Sequence, residues 1–229
     1  MGFFRRTRPP HQQAAALPEG PLRDWAQAGT PPPATPAEQL RLLAVDVETT
    51  GLDPATDRLL SIGFVPVDGP AITLAGARHL VLRQNDGAGL GDGVGQSATI
   101  HRLTDDQLAA GMDPRGAVAA LLQALQGRVL LAHHAAMETE FLGRAVEQLF
   151  GARVEIAAVD TMQLQYRMLT KGFDDEPPPG SLRLWAARDQ FGLPRYQAHE
   201  ALTDALACAE LYLAQVSELG WQTTLKQLR

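Results

Sequence analysis

The stretch RLLAVDVETTGL, residues 41–52, decides how the rest of the chain is read. Its apolar residues are β-favouring and it ends in a turn signal, TTG, so it reads as a strand. On a strand Asp46 and Glu48 leave the same face while Val45 and Val47 point to the other. Two neighbouring carboxylates suit the solvated face of an edge strand. The run LLAV before them and the immediate turn after them read instead as a central strand, where carboxylates this close need a cation between them. Hard oxygen ligands favour Mg²⁺ or Mn²⁺ over zinc.

Outward from this strand, RLLSIGFVPVDG and AITLAGARHLVLR are two further β-favouring runs, so residues 41–83 read as a three-strand meander. NDGAGLGDGVGQ (85–96) lacks the strand-turn-helix frame of a dinucleotide-binding fingerprint and reads as a loop. Helical signals follow at 104–110, where Thr104 and Asp105 can cap, and at 113–126. GRVLLAH (127–133) and VEIAAVD (154–160) read as strands, with helices at 135–150, 161–170, 181–191 and 199–216. Strands that alternate with helices after a meander give an α/β fold with a mixed sheet, antiparallel first and parallel later.

The 229 residues fit one domain, expected over 38–216, with a Pro/Ala-rich N-terminal extension at 1–37 and a tail at 217–229. A short helix is expected near Leu22 to Ala28, and part of the extension is expected to dock. Apolar residues make up 45% and charged residues 20%, and no apolar run approaches the roughly 18 residues that cross a bilayer. The N-terminal MGFFRRTRPP has no apolar signal segment, and a lone Cys208 excludes an internal disulfide, so a cytoplasmic protein is expected. A formal charge of −6 argues against diffuse phosphate neutralisation along nucleic acid. It leaves open a site that reaches phosphate through bound cations.

A second constellation lies in YQAHEALTDALACAELYL, residues 196–213. His199 and Asp204 fall within about 140° of one another on a helix, or closer if His199 precedes it. Asp204 stands among Ala201, Leu202, Ala205 and Cys208, where a bare carboxylate is costly unless a metal or a donor meets it. Beside Asp46 and Glu48 it completes three oxygen ligands and a titratable base.

VDVETTGL, the later AHxA and the final HEALTDA together resemble the DEDDh family of 3′→5′ exonucleases, especially the proofreading exonuclease of the DNA polymerase III epsilon type. The similarity spans about residues 41–215, and IHRLTDDQL (100–108) resembles that family's IHGIT segment. The resemblance implies an RNase H-like mixed sheet flanked by helices, two divalent cations, and release of nucleoside monophosphates from a 3′ end. Two metals about 3.5–4 Å apart would clamp the scissile phosphate, Asp46 bridging both and Glu48 and Asp204 completing the shell of the first. His199 is the candidate general base. Thr49, Thr50, Gly51 and Leu52 would contact the terminal nucleotide, and His101 is a further candidate for approaching the substrate.

The family's second motif reads HNAxFD, whereas this chain has HHAAME, residues 133–138. His134 stands at the Asn position and Glu138 at the Asp position. On the helix, Met137, Phe141, Leu142, Ala145, Val146 and Leu149 form a stripe with Glu138 near its middle. A carboxylate there, one turn from a helix N-terminus, is the candidate ligand of the second metal, directly or through water. Glu140 falls on the opposite face, where Arg144 is available as an i,i+4 partner. A zinc site fails on detail, because His133 and His134 diverge and no HExxH spacing is present. His133 is expected to hydrogen-bond in the core, His134 to face the nucleotide, and Asp160 to cap a helix. Trp25, Trp185 and Trp221 read as core or docking residues rather than stacking platforms.

The function expected is therefore a Mg²⁺- or Mn²⁺-dependent 3′→5′ exonuclease on single-stranded or frayed 3′ ends, DNA favoured, without a membrane partner or a recognisable protein-partner motif. The altered second motif motivates the alternative of a nucleic-acid or nucleotide-binding module of the same fold with weakened catalysis.

Overall fold

The computed structural model describes residues 14–84, 103–170, 176–197 and 199–229. Strand β1 (Arg41–Thr49) is central. It pairs antiparallel with β2 (Leu59–Asp68) on one side and parallel with β5 (Val129–Ala132) on the other. With β3 (Ala71–Ile72), β4 (Arg78–Val81) and β6 (Ala158–Asp160), the order is β3-β2-β1-β5-β6, β4 also pairing with β2. The mixed α/β sheet expected from the alternation is what forms.

Two strand boundaries differ from the sequence reading. The third run of the meander divides into β3 (Ala71–Ile72) and β4 (Arg78–Val81), separated by a 3₁₀ turn at Leu74–Gly76. In the run 154–160 only β6 (Ala158–Asp160) pairs. Val154 and Ile156 alternate inward and are buried in the core, so their spacing is strand-like although their backbone joins no ladder. Period-two burial reports side-chain direction, not hydrogen bonding.

Helices α1 (Pro21–Ala28), α2 (Asp105–Ala109), α3 (Pro114–Ala124) and α4 (Ala135–Phe150) precede β6. After it come α5 (Thr161–Thr170), α6 (Leu184–Gln190), α7 (Ala201–Leu219) and α8 (Leu225–Leu228). The second turn of capping chemistry is as the sequence indicates: Thr104 and Gln107 form a capping box, and Asp113 accepts from the Gly116 amide.

The sheet is covered on both faces. Leu43, Val45, Ile62 and Phe64 pack with Trp25 of α1, Val118 and Leu122 of α3, and Phe141 and Leu142 of α4. Leu42, Ala44, Val65 and Val67 pack with Cys208, Tyr212 and Val216 of α7 and with Leu225 and Leu228 of α8. The described part of the N-terminal extension docks through Leu17, Leu22 and Trp25, all buried. Its end is fastened to the C-terminal segment by backbone hydrogen bonds: Ala37 donates to Thr223, Glu38 to Trp221, Leu225 to Thr35 and Lys226 to Pro33. Among the described residues no helix is long and apolar enough to cross a membrane.

Candidate active site

Strand parity puts Asp46 and Glu48 on the face that carries Leu42 and Ala44, which is the face covered by α7. The pairing of β1 with β5 covers only Leu42 to Ala44, so both carboxylates stand beyond the point where the neighbouring strand gives way to α4. They lie near the carboxyl end of β1 and past that of the parallel β5, where the strand order reverses direction, a place where α/β sheets open crevices.

What brings Asp204 to them is a glycine on the next strand. Gly63 is the register partner of Asp46 on β2. A Cβ at Gly63 would come within 2.1 Å of the Ala201 carbonyl carbon and of the Leu202 amide. The first turn of α7 therefore lies directly on the sheet backbone, and Asp204 in that turn reaches Asp46 and Glu48. Ligand oxygens of the three residues lie within 4.8 Å of one another. Nothing in the sequence marked Gly63; the signal would have been a glycine inside a β-favouring run.

Glu138 enters from the first turn of α4, 5% exposed, with its Oε2 buried and without a hydrogen-bond partner. It lies outside the group of three, yet close enough for its charge to help push the Asp46 carboxyl up. Burial is the main cause of the rise at Asp46, followed by the charges of Glu138, Asp204 and Glu48. Burial, then the Asp204 charge, raises Glu48 to about 8. Glu138 is raised to about 8, again by burial first, with Asp160 adding to it. Asp204 is raised by burial, opposed by the backbone hydrogen bond it accepts from His199. Its Oδ1 is buried without a partner. Carboxylates driven up together, with orphaned oxygens among them, form a donor set that fits hard divalent cations.

His199 is exposed and precedes α7 rather than opening it, with φ of 70°. Its amide donates to Asp204 Oδ2 at 2.9 Å, so one carboxylate both faces the acidic group and fixes the loop that carries the imidazole. His134 caps α4 at φ 77° and is exposed. Asn and His are among the residues enriched in this left-handed region, which accounts for a His where the motif usually has Asn.

Asp160 binds backbone amides, accepting from His134 and Ala135 at the start of α4 and from Met162 in α5. It caps two helices where the sequence indicated one. His133 hydrogen-bonds Thr161 Oγ1 at 2.8 Å and the Leu182 carbonyl at 2.7 Å. Glu140 is on the solvated face as read, but its partner is Arg153 at 3.2 Å rather than Arg144, because the chain after α4 folds back past the helix.

After β1, Thr49 donates to the Gly51 carbonyl and Thr50 to Asp57 Oδ1. The Asp57 carboxylate also lies where a Cβ at Gly51 would sit, at 2.5 Å. The turn is thereby held tight, and Leu52 is presented to solvent at 78% exposure. His101 lies outside the described residues.

The fold and the carboxylate cluster define an RNase H-like, acid-centred nuclease. Residues 43–212 match the RNase_T exonuclease family, and the chain belongs to that family as a 3′→5′ exonuclease. It is 32% identical over 184 residues to the DNA polymerase III subunit epsilon of Treponema pallidum, covering 79% of this chain and 78% of that one. It is 25% identical over 171 residues to the PolC-type DNA polymerase III of Thermotoga maritima, covering 75% of this chain and 11% of that protein. The crystal structure of E. coli exonuclease I in complex with a dT13 oligonucleotide superposes with a TM-score of 0.63 at 16% identity. The match covers 79% of this chain and 42% of that one, so the chain spans about two fifths of exonuclease I.

Proposed function

We propose that the chain removes nucleoside monophosphates from the 3′ ends of single-stranded or frayed DNA, using two divalent cations, Mg²⁺ or Mn²⁺, held by Asp46, Glu48, Asp204 and Glu138. The observation that carries this reading is the acidic group itself, three carboxylates within 4.8 Å of one another. DNA as substrate is supported by the relatives, which are DNA polymerase III subunits, and by the oligonucleotide in the exonuclease I complex. When bound, such cations neutralise the phosphate and the leaving 3′ oxygen and lower the pKa of water.

The protein's own groups then do the rest. His199 takes the proton of the attacking water on a ring nitrogen, the role an imidazole most often fills in proton transfer. The water oxygen bonds to phosphorus as the bond to the 3′ oxygen breaks, and the terminal nucleotide leaves as a 5′-monophosphate. The Asp204 carboxylate holds the His199 backbone in place for that transfer. Leu52 offers an apolar surface to the terminal base, the backbone of Thr49, Thr50 and Gly51 lines the same turn, and His134 stands at the adjacent helix start.

A 5′-labelled single-stranded oligodeoxynucleotide with Mg²⁺ or Mn²⁺ is expected to give a shortening ladder that Asp46→Ala abolishes. No ladder in either metal, with wild type and Asp46→Ala alike, would refute the reading. The position of Glu138 outside the group of three favours a second reading, a binding module with weak turnover. Retained oligonucleotide binding without cleavage, together with a large gain of rate in Glu138→Asp, would establish that one instead.

A further inference from the structure

The loop that delivers His199 is tied down by a second charged cluster, centred on a buried arginine between α6 and α7. Arg188 of α6 is 0% exposed. Its Nη1 donates to the Ala207 carbonyl at 2.6 Å, and its Nη2 donates to the Pro194 carbonyl and to Glu210 Oε2, both at 2.7 Å. One planar guanidinium thus joins α6, the middle of α7 and the loop between them, a span the fork geometry of arginine permits and a lysine ammonium does not.

The loop is held residue by residue. The Leu193 amide donates to the Arg188 carbonyl at 3.1 Å. Pro194 accepts from Arg188. Arg195 pairs with Asp189. The Tyr196 hydroxyl donates to Glu210 Oε1 at 2.8 Å, while its ring stands edge-on to Trp185 and 5.0 Å from the guanidinium carbon. Glu210 therefore receives Arg188 on one oxygen and Tyr196 on the other. Three residues after Tyr196 the chain is fixed again, by the His199 amide on Asp204. Three residues reach at most about 10 Å when extended. His199, left-handed at φ 70°, thus stands where its own amide is fixed, a short chain distance after the Tyr196 anchor.

We infer that Arg188, Glu210 and Tyr196 are positioning residues for the 3′→5′ exonuclease reaction, setting where the His199 imidazole stands over the acidic group. This rests on His199 acting as the base, and the test separates the two. Arg188→Lys and Tyr196→Phe are made in the full chain, each with His199 present and in a His199→Ala background. kcat and KM are measured on the labelled oligodeoxynucleotide with Mn²⁺.

With His199 present, Arg188→Lys is expected to lower kcat about tenfold and Tyr196→Phe about threefold, with KM within about twofold, because a small misplacement of a reacting group costs rate rather than binding. In the His199→Ala background neither should lower kcat further, since both act through the ring that is gone. Tyr196→Phe keeps the ring and its packing, so it carries the test if Arg188→Lys does not fold. Equal losses in both backgrounds, or folded variants with unchanged kcat, would overturn the inference and leave the role of His199 intact. If His199→Ala alone leaves kcat unchanged, both readings fall.

Discussion

Two charged clusters lie against α7, one around Asp46 and one around Arg188, and they are built by opposite rules. Around Arg188 both terminal nitrogens of a cation meet acceptors, two carbonyls and a carboxylate shared with a tyrosine hydroxyl, and only its Nε is left without a partner. Around Asp46 two further carboxylates, Glu48 and Asp204, gather with Glu138 just outside them; Glu138 Oε2 and Asp204 Oδ1 lack a hydrogen-bond partner, and all four groups are pushed upward. A buried charge met by its complement is part of the scaffold; like charges buried together need something else to complete them. The contrast separates the part of the molecule that holds from the part that is held ready for a ligand.

Asp46→Asn is expected to break it most severely. It should lower the cleavage rate by at least about a thousandfold, as loss of a group that acts only in concert with others does. In metal-free buffer it should raise the melting temperature, because it removes a charge from the repelling group. A variant that lost stability without metal would show that Asp46 is a structural anchor.

At the Arg188 cluster the opposite sign is expected. Glu210→Ala leaves a guanidinium at 1% exposure without its counter-ion and should cost about 3–5 kcal/mol in denaturant unfolding. Arg188→Met should cost less, since the Glu210 side chain, 25% exposed, can turn to water. Equal costs would mean that packing, not charge, dominates there.

Gly63→Ala should cost about 1–3 kcal/mol and most of the activity, because the first turn of α7 must move off the sheet and carry Asp204 with it. A fully active Gly63→Ala would disprove the dependence of the site on this contact.

A smaller effect is expected from pH. Glu48 and Glu138 are raised from 4.5 to about 8 in the folded protein. Between those values the unfolded chain has released protons that the folded chain still holds, so stability without metal should fall as pH rises from about 5 to about 8. Saturating Mn²⁺ or Mg²⁺ should flatten or invert that slope in thermal melts, since ligation favours the ionised carboxylates. The smallest change is expected from Glu138→Asp, within about tenfold in rate, because the carboxylate is kept and stands outside the group of three.

Much of the acidic site was legible because it is written in local periodicity. The two-residue spacing of Asp46 and Glu48 gives their shared face, and the apolar stripe from Met137 to Leu149 places Glu138 inward. The resemblance joined Asp204 and His199 to them. What no local pattern carries is the closeness of distant segments. Gly63 matters only because α7 lies on it, and Arg188 only because a loop and a helix more than one turn apart in sequence converge on its fork. The run 154–160 failed for a related reason: alternation fixes which way Val154 and Ile156 point, whereas pairing depends on a neighbour that β5 supplies only from Ala158 onward.

The fastening of residues 33–38 to residues 221–226 has a consequence in the order of synthesis. The early segment is made long before its partner. At about 5–20 residues per second, on the order of ten seconds pass before the later segment can reach it. Until then the Pro33 and Thr35 carbonyls and the Ala37 and Glu38 amides have only water to bond, and α8 is not yet there to cover Leu42 and Val67. A nascent chain of this protein therefore carries an unfinished seam beside β1 until residues 221–226 have been made, and their arrival closes it.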